Sequence, residues 1–102
     1  MTLMAFSIIP LDKGPSFSRH VAEILGIVEK SGLDYRLNPM DTVVEGRWDD
    51  LIALLNECFR HLEQESERIS LHVRFDHRKG VSGALEGKIR SVEEKTGGPL
   101  RA

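Results

Sequence analysis

The sequence predicts a single α+β domain of the split β-α-β type, and two observations predict it. The hydrophobic repeat switches between the strand and helix periods in the order β-α-β-β-α-β. A length of 102 residues suits one domain with one core, able to bury about two thirds of the surface exposed by the unfolded chain.

The first element is an apolar run over residues 3–11, closed by the turn-forming stretch 12–15, as in a central strand covered on both faces. Ser16 is placed to cap the helix that follows. In that helix Phe17, Val21, Ile24, Leu25 and Val28 recur at three- and four-residue spacing until Ser31-Gly32 ends the run. The period then changes to two. Leu33, Tyr35 and Leu37 alternate with Asp34, Arg36 and Asn38, and a second short strand over residues 42–48 follows the break at 39–41, so the two most simply form a hairpin or a pair joined by a tight bend. Gly46 within it points to a bulge or a close backbone approach.

Asp49 or Asp50 can cap a second helix reaching about Glu67, with Leu51, Ile52, Leu55, Cys58, Phe59 and Leu62 on its apolar stripe. Strict alternation of Ile69, Leu71, Val73 and Phe75 with Ser70, His72, Arg74 and Asp76 gives the clearest strand. Leu85, Ile89 and Val92 make a short C-terminal helix before the glycine–proline stretch at 96–99. The element order is that of a ferredoxin-like fold: a four-stranded antiparallel sheet with two helices on one face, and an extra C-terminal helix. The other face carries some of Leu3, Ala5, Ile9, Val43 and Trp48, which is too much apolar surface for a monomer and predicts oligomers packed sheet to sheet.

Composition narrows the function classes. Hydrophobic residues at 40% and charged residues at 29% are globular values, which argues against disorder, coiled coil and membrane spans. A net charge of −2 lacks the basic excess of a nucleic-acid binder. The single cysteine, Cys58, excludes an intramolecular disulfide and suits a reducing compartment, so a cytoplasmic location is expected. The apolar N-terminal stretch has no basic region before it and is too short to span a bilayer.

Catalytic and metal constellations are weak. None of His20, His61, His72 and His77 pairs with another histidine or with Cys58 at a spacing that fixes a metal. His72 and His77 flank Asp76, but adjacent Asp76 and His77 point to opposite faces of a continuing strand. Cys58 lies on the apolar stripe of its helix, where a thiol is inert. The serines lack a base partner or a nucleophile elbow, and the glycines match no phosphate loop. Neither a metal nor a cofactor is expected.

The segment 35–46 differs. On two short strands and the bend between them it sets an aromatic ring (Tyr35), an amide (Asn38), a thioether (Met40), a hydroxyl (Thr42) and a carboxylate (Glu45), the mixture that a mostly apolar ligand pocket needs. The alternative stands beside it: Tyr35 and Met40 as core filler, with Glu45 solvated. No cluster of Arg and Lys surrounds the segment, which favours a ligand without phosphate.

The stretches Ser7-Ile8-Ile9-Pro10-Leu11, Pro15-Ser16-Phe17-Ser18, residues 31–40, Thr42-Val43-Val44-Glu45-Gly46 and Asp76-His77-Arg78 resemble the thiamine-binding protein family, the YqgV-like proteins long described as a domain of unknown function. The resemblance covers nearly the whole chain, departing from the family pattern at His20, where members often carry an aromatic residue, and at Asp41, where they often carry glycine. It implies a ferredoxin-like fold, a homotetramer built as a dimer of dimers, and non-catalytic binding of thiamine or its hydroxymethylpyrimidine part. Carried onto this sequence, it implies that Phe17, Tyr35 and Met40 pack on the ligand rings and that Glu45 meets the ligand's charge or donors. Ser7, Ser18, Asn38 and Thr42 would fix the pyrimidine edge. Thiamine is chemically suited to such a set, since its aminopyrimidine has donor and acceptor edges and its thiazolium is always cationic. Two other readings remain open: a small oligomeric enzyme using His72, Asp76 or His77, and an assembly module with an empty pocket.

Overall fold

The structure is a computed structural model that describes residues 1–14, 18–80 and 85. Its elements are β1 (Thr2–Pro10), α1 (Ser18–Lys30), β2 (Asp34–Leu37), β3 (Thr42–Gly46), α2 (Trp48–Glu63) and β4 (Ile69–His77). The strands form one antiparallel sheet in the order β2-β3-β1-β4, so the apolar first strand is central, as its composition predicts. This is the ferredoxin-like α+β arrangement. Of the expected C-terminal helix only Leu85 belongs to the described residues, and it is helical.

Register divides the side chains between two faces. Met4 lies opposite Val44 and Phe75, and Phe6 opposite Thr42 and Val73, so these residues share a face. Met4, Phe6, Ile8 and Val44 form the core with Ile24 and Val28 of α1 and Leu51, Leu54, Cys58 and Leu62 of α2. The helices therefore cover this face. Leu3, Ala5, Ser7, Ile9, Val43 and Glu45 fall on the other by alternation.

Three local details differ from the sequence reading. β3 ends at Gly46, and Trp48 opens α2 with its ring 4.5 Å from that of Phe75, on the helix side of the sheet rather than the open side. The residue that precedes α2 is Arg47, which makes no side-chain cap; Asp49 and Asp50 occupy the first turn instead, where their charge complements the helix dipole. α2 also stops at Glu63, short of Glu67. At Gly46 the close approach is the alternative realised: a Cβ there would stand 3.3 Å from Leu33 Cδ2 and 3.5 Å from Leu51 Cδ2. Gly32, at φ +74°, takes the left-handed conformation that ends α1.

Candidate functional site

β2 and β3 join through a two-residue bend, Pro39-Met40. The Asn38 N–H donates to the Asp41 carbonyl at 2.8 Å, and Asn38 Nδ2 donates to Asp41 Oδ1 at 3.1 Å. Pro39 fixes its own φ, and none of residues 38–41 has positive φ, so the primed turns that best continue hairpin twist are excluded. The ladder of β1 with β3 ends at Phe6–Thr42, whereas its ladder with β4 continues to Pro10–Ile69. Residues 7–10 of β1 thus run past the end of β3, beside the bend.

A cavity of about 200 Å³ occupies this notch on the helix side. Phe6 and Ile8 of β1 make its floor, Val21, Ile24 and Leu25 of α1 one wall, and residues 37–42 of the bend the other. Asn38 and Thr42 supply its polar side chains, Ser7 borders it from a strand position whose side chain alternates to the other face, and Asp41 lies at the rim. The Thr42 residue is 8% exposed, and neither its hydroxyl nor that of Ser7 is hydrogen-bonded to a described residue. Met40 is 86% exposed, an apolar side chain at the mouth with little to pack against among the described residues. A mostly apolar cavity with a few convergent polar groups is the usual form of a small-molecule site.

Of the candidate residues, Asn38, Met40 and Thr42 converge on this cavity, and Ser7 borders it. Tyr35 does not line it: its phenol donates to Glu29 Oε2 at 2.6 Å, bracing β2 against the C-terminal half of α1. That carboxylate holds the phenol above its ordinary pKa, because ionisation would lose the bond and set two negative charges together. Glu45 lies opposite Leu3 and Asp34, on the sheet face away from the helices, and is 6% exposed. Ser18 is the exposed first residue of α1 and is not on the cavity wall. Phe17 lies outside the described residues.

The segment that leads to α1 is tied down from the other side. Asp12 accepts from Ser66 Oγ at 2.5 Å and from the Glu67 N–H at 2.8 Å, and the Leu11 N–H donates to the Arg68 carbonyl at 2.8 Å. These bonds hold the Asp12 carboxyl below its ordinary pKa. Charged side chains also join the two helices: His61 Nε2 lies 2.8 Å from Glu23 Oε2, and Arg19 Nη2 donates to Glu65 Oε2 at 2.9 Å. The α1 wall is thereby held in place at its N-terminal half.

The catalytic alternatives are not assembled. His77 is hydrogen-bonded to Thr2 Oγ1 at 2.7 Å on the helix-side face. His72 and Asp76 occupy the other face, about 13 Å apart along the strand. Among the described residues no group of His, Cys, Asp and Glu is placed to hold a metal, and no helix is long and apolar enough to cross a membrane. Cys58 is fully buried in the core, and burial pushes its thiol up to about 12.

Sequence reasoning missed the α1 wall, where Val21, Ile24 and Leu25 read as ordinary core, and it missed Asp41. The helical spacing of the first three is the same whether they face a packed core or a cavity. The position of Asp41 next to Thr42, at the end of the bend, is the signal that could have marked it.

Comparison with known proteins agrees with this fold. A family model described as thiamine-binding protein matches residues 4–93. YqgV of Bacillus subtilis is 32% identical over 100 residues, covering 92% of this chain and 96% of its own. A Mycobacterium bovis relative is 33% identical over 92 residues, covering 89% and 90%. A hypothetical protein of Methanocaldococcus jannaschii, known from a crystal structure, superposes with a TM-score of 0.83 at 29% identity, over 91% of this chain and 96% of that one. A Thermotoga maritima protein assigned provisionally to thiamine biosynthesis or salvage shares the fold with a TM-score of 0.79 at 21% identity, over 89% and 97%. With sheet and helices both spanned by these matches, the chain belongs to the thiamine-binding protein family.

Proposed function

We propose that this protein binds thiamine, or the hydroxymethylpyrimidine part of it, without transforming it, as a carrier, buffer or sensor. The observation that carries this reading is the notch cavity, where the hydroxyl of Thr42 and the amide of Asn38 converge within a wall of Phe6, Ile8, Ile24 and Leu25. An aminopyrimidine is flat and apolar on its faces and needs donors and acceptors only at its edge. The cavity offers both. Family membership and the provisional assignment of the Thermotoga maritima relative to thiamine biosynthesis or salvage support the same ligand.

On this reading the polar reach falls to Asn38 and Thr42, with Met40 closing over the ring and Ser7 turned to the other face of the sheet. Tyr35 braces the fold instead, and Glu45 serves the opposite face. The protein works as a single domain in the cytoplasm, where a lone buried thiol is at ease, and as a homo-oligomer, a tetramer built from dimers, with the part of the open face around Leu3 and Val43 meeting a second sheet.

Calorimetric titration of the purified, ligand-stripped protein with thiamine and with hydroxymethylpyrimidine tests the reading. Saturable binding, micromolar or tighter on the usual scale for such sites, with one ligand per chain, supports it. No heat with either compound overturns it.

A further inference from the structure

The notch has a second lobe. On the sheet face away from the helices a cavity of about 350 Å³ shares Phe6, Ser7, Met40 and Asp41 with the first, and adds His72 and Arg74 of β4. Register explains the gathering: Ser7 lies opposite His72, and Ala5 opposite Arg74, so all four stand on one face. The first lobe is apolar in its walls, whereas the second presents a carboxylate, a guanidinium, an imidazole and a hydroxyl. Asp41 sits where the two meet, oriented by the bond from Asn38 Nδ2 to its Oδ1. Neither Asp41 nor Arg74 has an ion-pair partner among the described residues.

We infer that the polar lobe is a subsite for the far end of the same ligand, and that the ligand it suits is a cationic ring bearing a phosphate ester on a short arm. The inference rests on the reading of the first lobe as the pyrimidine site. A cationic ring leaving the apolar lobe meets the Asp41 carboxylate first. Beyond it, the Arg74 guanidinium and the His72 ring donate to the oxygens of a phosphate. Each simpler ligand leaves a charge unanswered. A neutral ring with a phosphate sets two negative groups together at Asp41, and a cation without phosphate leaves Arg74 unpaired. The segment 35–46 contains no cluster of Arg and Lys, so the sequence favours an unphosphorylated ligand. The tertiary fold supplies the missing cation from β4, which begins more than twenty positions beyond the end of that segment.

The test is titration of the wild type, Arg74→Gln and Asp41→Asn with thiamine, thiamine monophosphate and hydroxymethylpyrimidine, in the assembly state the protein has in solution. His72 and Arg74 are exposed and Asp41 half-buried, and circular dichroism confirms that the variants fold. The wild type is expected to bind the monophosphate about tenfold more tightly than thiamine, the usual worth of a hydrogen bond to a charged group. Arg74→Gln removes that preference and leaves thiamine affinity within about twofold, as a surface change should. Asp41→Asn weakens both cationic ligands about tenfold and leaves hydroxymethylpyrimidine unchanged. Thiamine binding with no preference for the monophosphate overturns this inference alone. So does an Arg74→Gln variant that weakens both ligands equally. Failure of all three compounds to bind the wild type overturns the ligand reading and this inference together.

Discussion

The Asp12 carboxylate accepts the Ser66 hydroxyl at 2.5 Å across a separation of 54 residues, joining the loop after β1 to the loop before β4. The Glu67 N–H donates to the same carboxylate at 2.8 Å, so the start of the loop after β1 is pinned against the loop before β4. The pH consequence has a definite sign. The folded-state pKa of Asp12 lies below its ordinary 3.8, so its contribution to stability is fully present above about pH 3.8 and is lost as the pH falls through the folded value. Melting temperature measured from pH 7 to pH 2 should separate the wild type from Asp12→Ala at neutral pH, and the two curves should converge below about pH 3.8. Parallel curves down to pH 2 would contradict the assignment.

Tyr35 is the chain's single tyrosine, so its ionisation can be followed by absorbance without interference. It should titrate above its ordinary 10.0 in the folded protein, and Glu29→Gln should bring it back toward that value, because the accepting carboxylate is the largest cause of the shift. Tyr35→Phe should lower the melting temperature slightly and leave thiamine affinity unchanged. A large loss of affinity in that variant would return Tyr35 to the binding site.

Thr42 and Met40 separate binding from folding. Thr42→Val keeps the shape of a side chain on the wall of the cavity but removes a hydroxyl that has no described partner; affinity for hydroxymethylpyrimidine should fall about tenfold. Met40→Ala should change stability by less than about 0.5 kcal/mol, since the side chain is 86% exposed, yet weaken ligand binding several-fold. Leu51→Ala, at a fully buried core position, should cost about 2–5 kcal/mol in urea unfolding. Equal effects of Met40→Ala and Leu51→Ala on stability would mean that Met40 is core and not a cavity mouth.

Cys58 should be inert in the native protein. With its thiol pushed up to about 12 and its side chain fully buried, only about one thiol in ten thousand is ionised at pH 8. Its labelling by a disulfide reagent should therefore follow the opening of the core, slowing in conditions that stabilise the fold and becoming fast in urea. Rapid stoichiometric labelling without denaturant would show the thiol to be accessible.

The sequence by itself determined the order of the elements, the central place of β1 and the division of side chains between faces. These depend on local periodicity, which survives in one dimension: Ile69, Val73 and Phe75 face the core as their alternation requires, and Ile24 and Val28 do so at helical spacing. The thiamine-binding resemblance was legible in the strings around Ser7, Tyr35 and Thr42. The membership of the site was not. A motif gives adjacency in sequence, and alternation sends Thr42 toward the helices and Glu45 away from them although they are three residues apart. Trp48 moved from the open face to the helix side for a similar reason, since the strand ended two residues before it. Only the tertiary structure decided that β1 runs past the end of β3, that the bend stands beside it, and that β4 brings His72 and Arg74 to the same notch. Those facts depend on the relative lengths and registers of strands far apart in the chain. No local pattern encodes where one ladder stops while its neighbour continues.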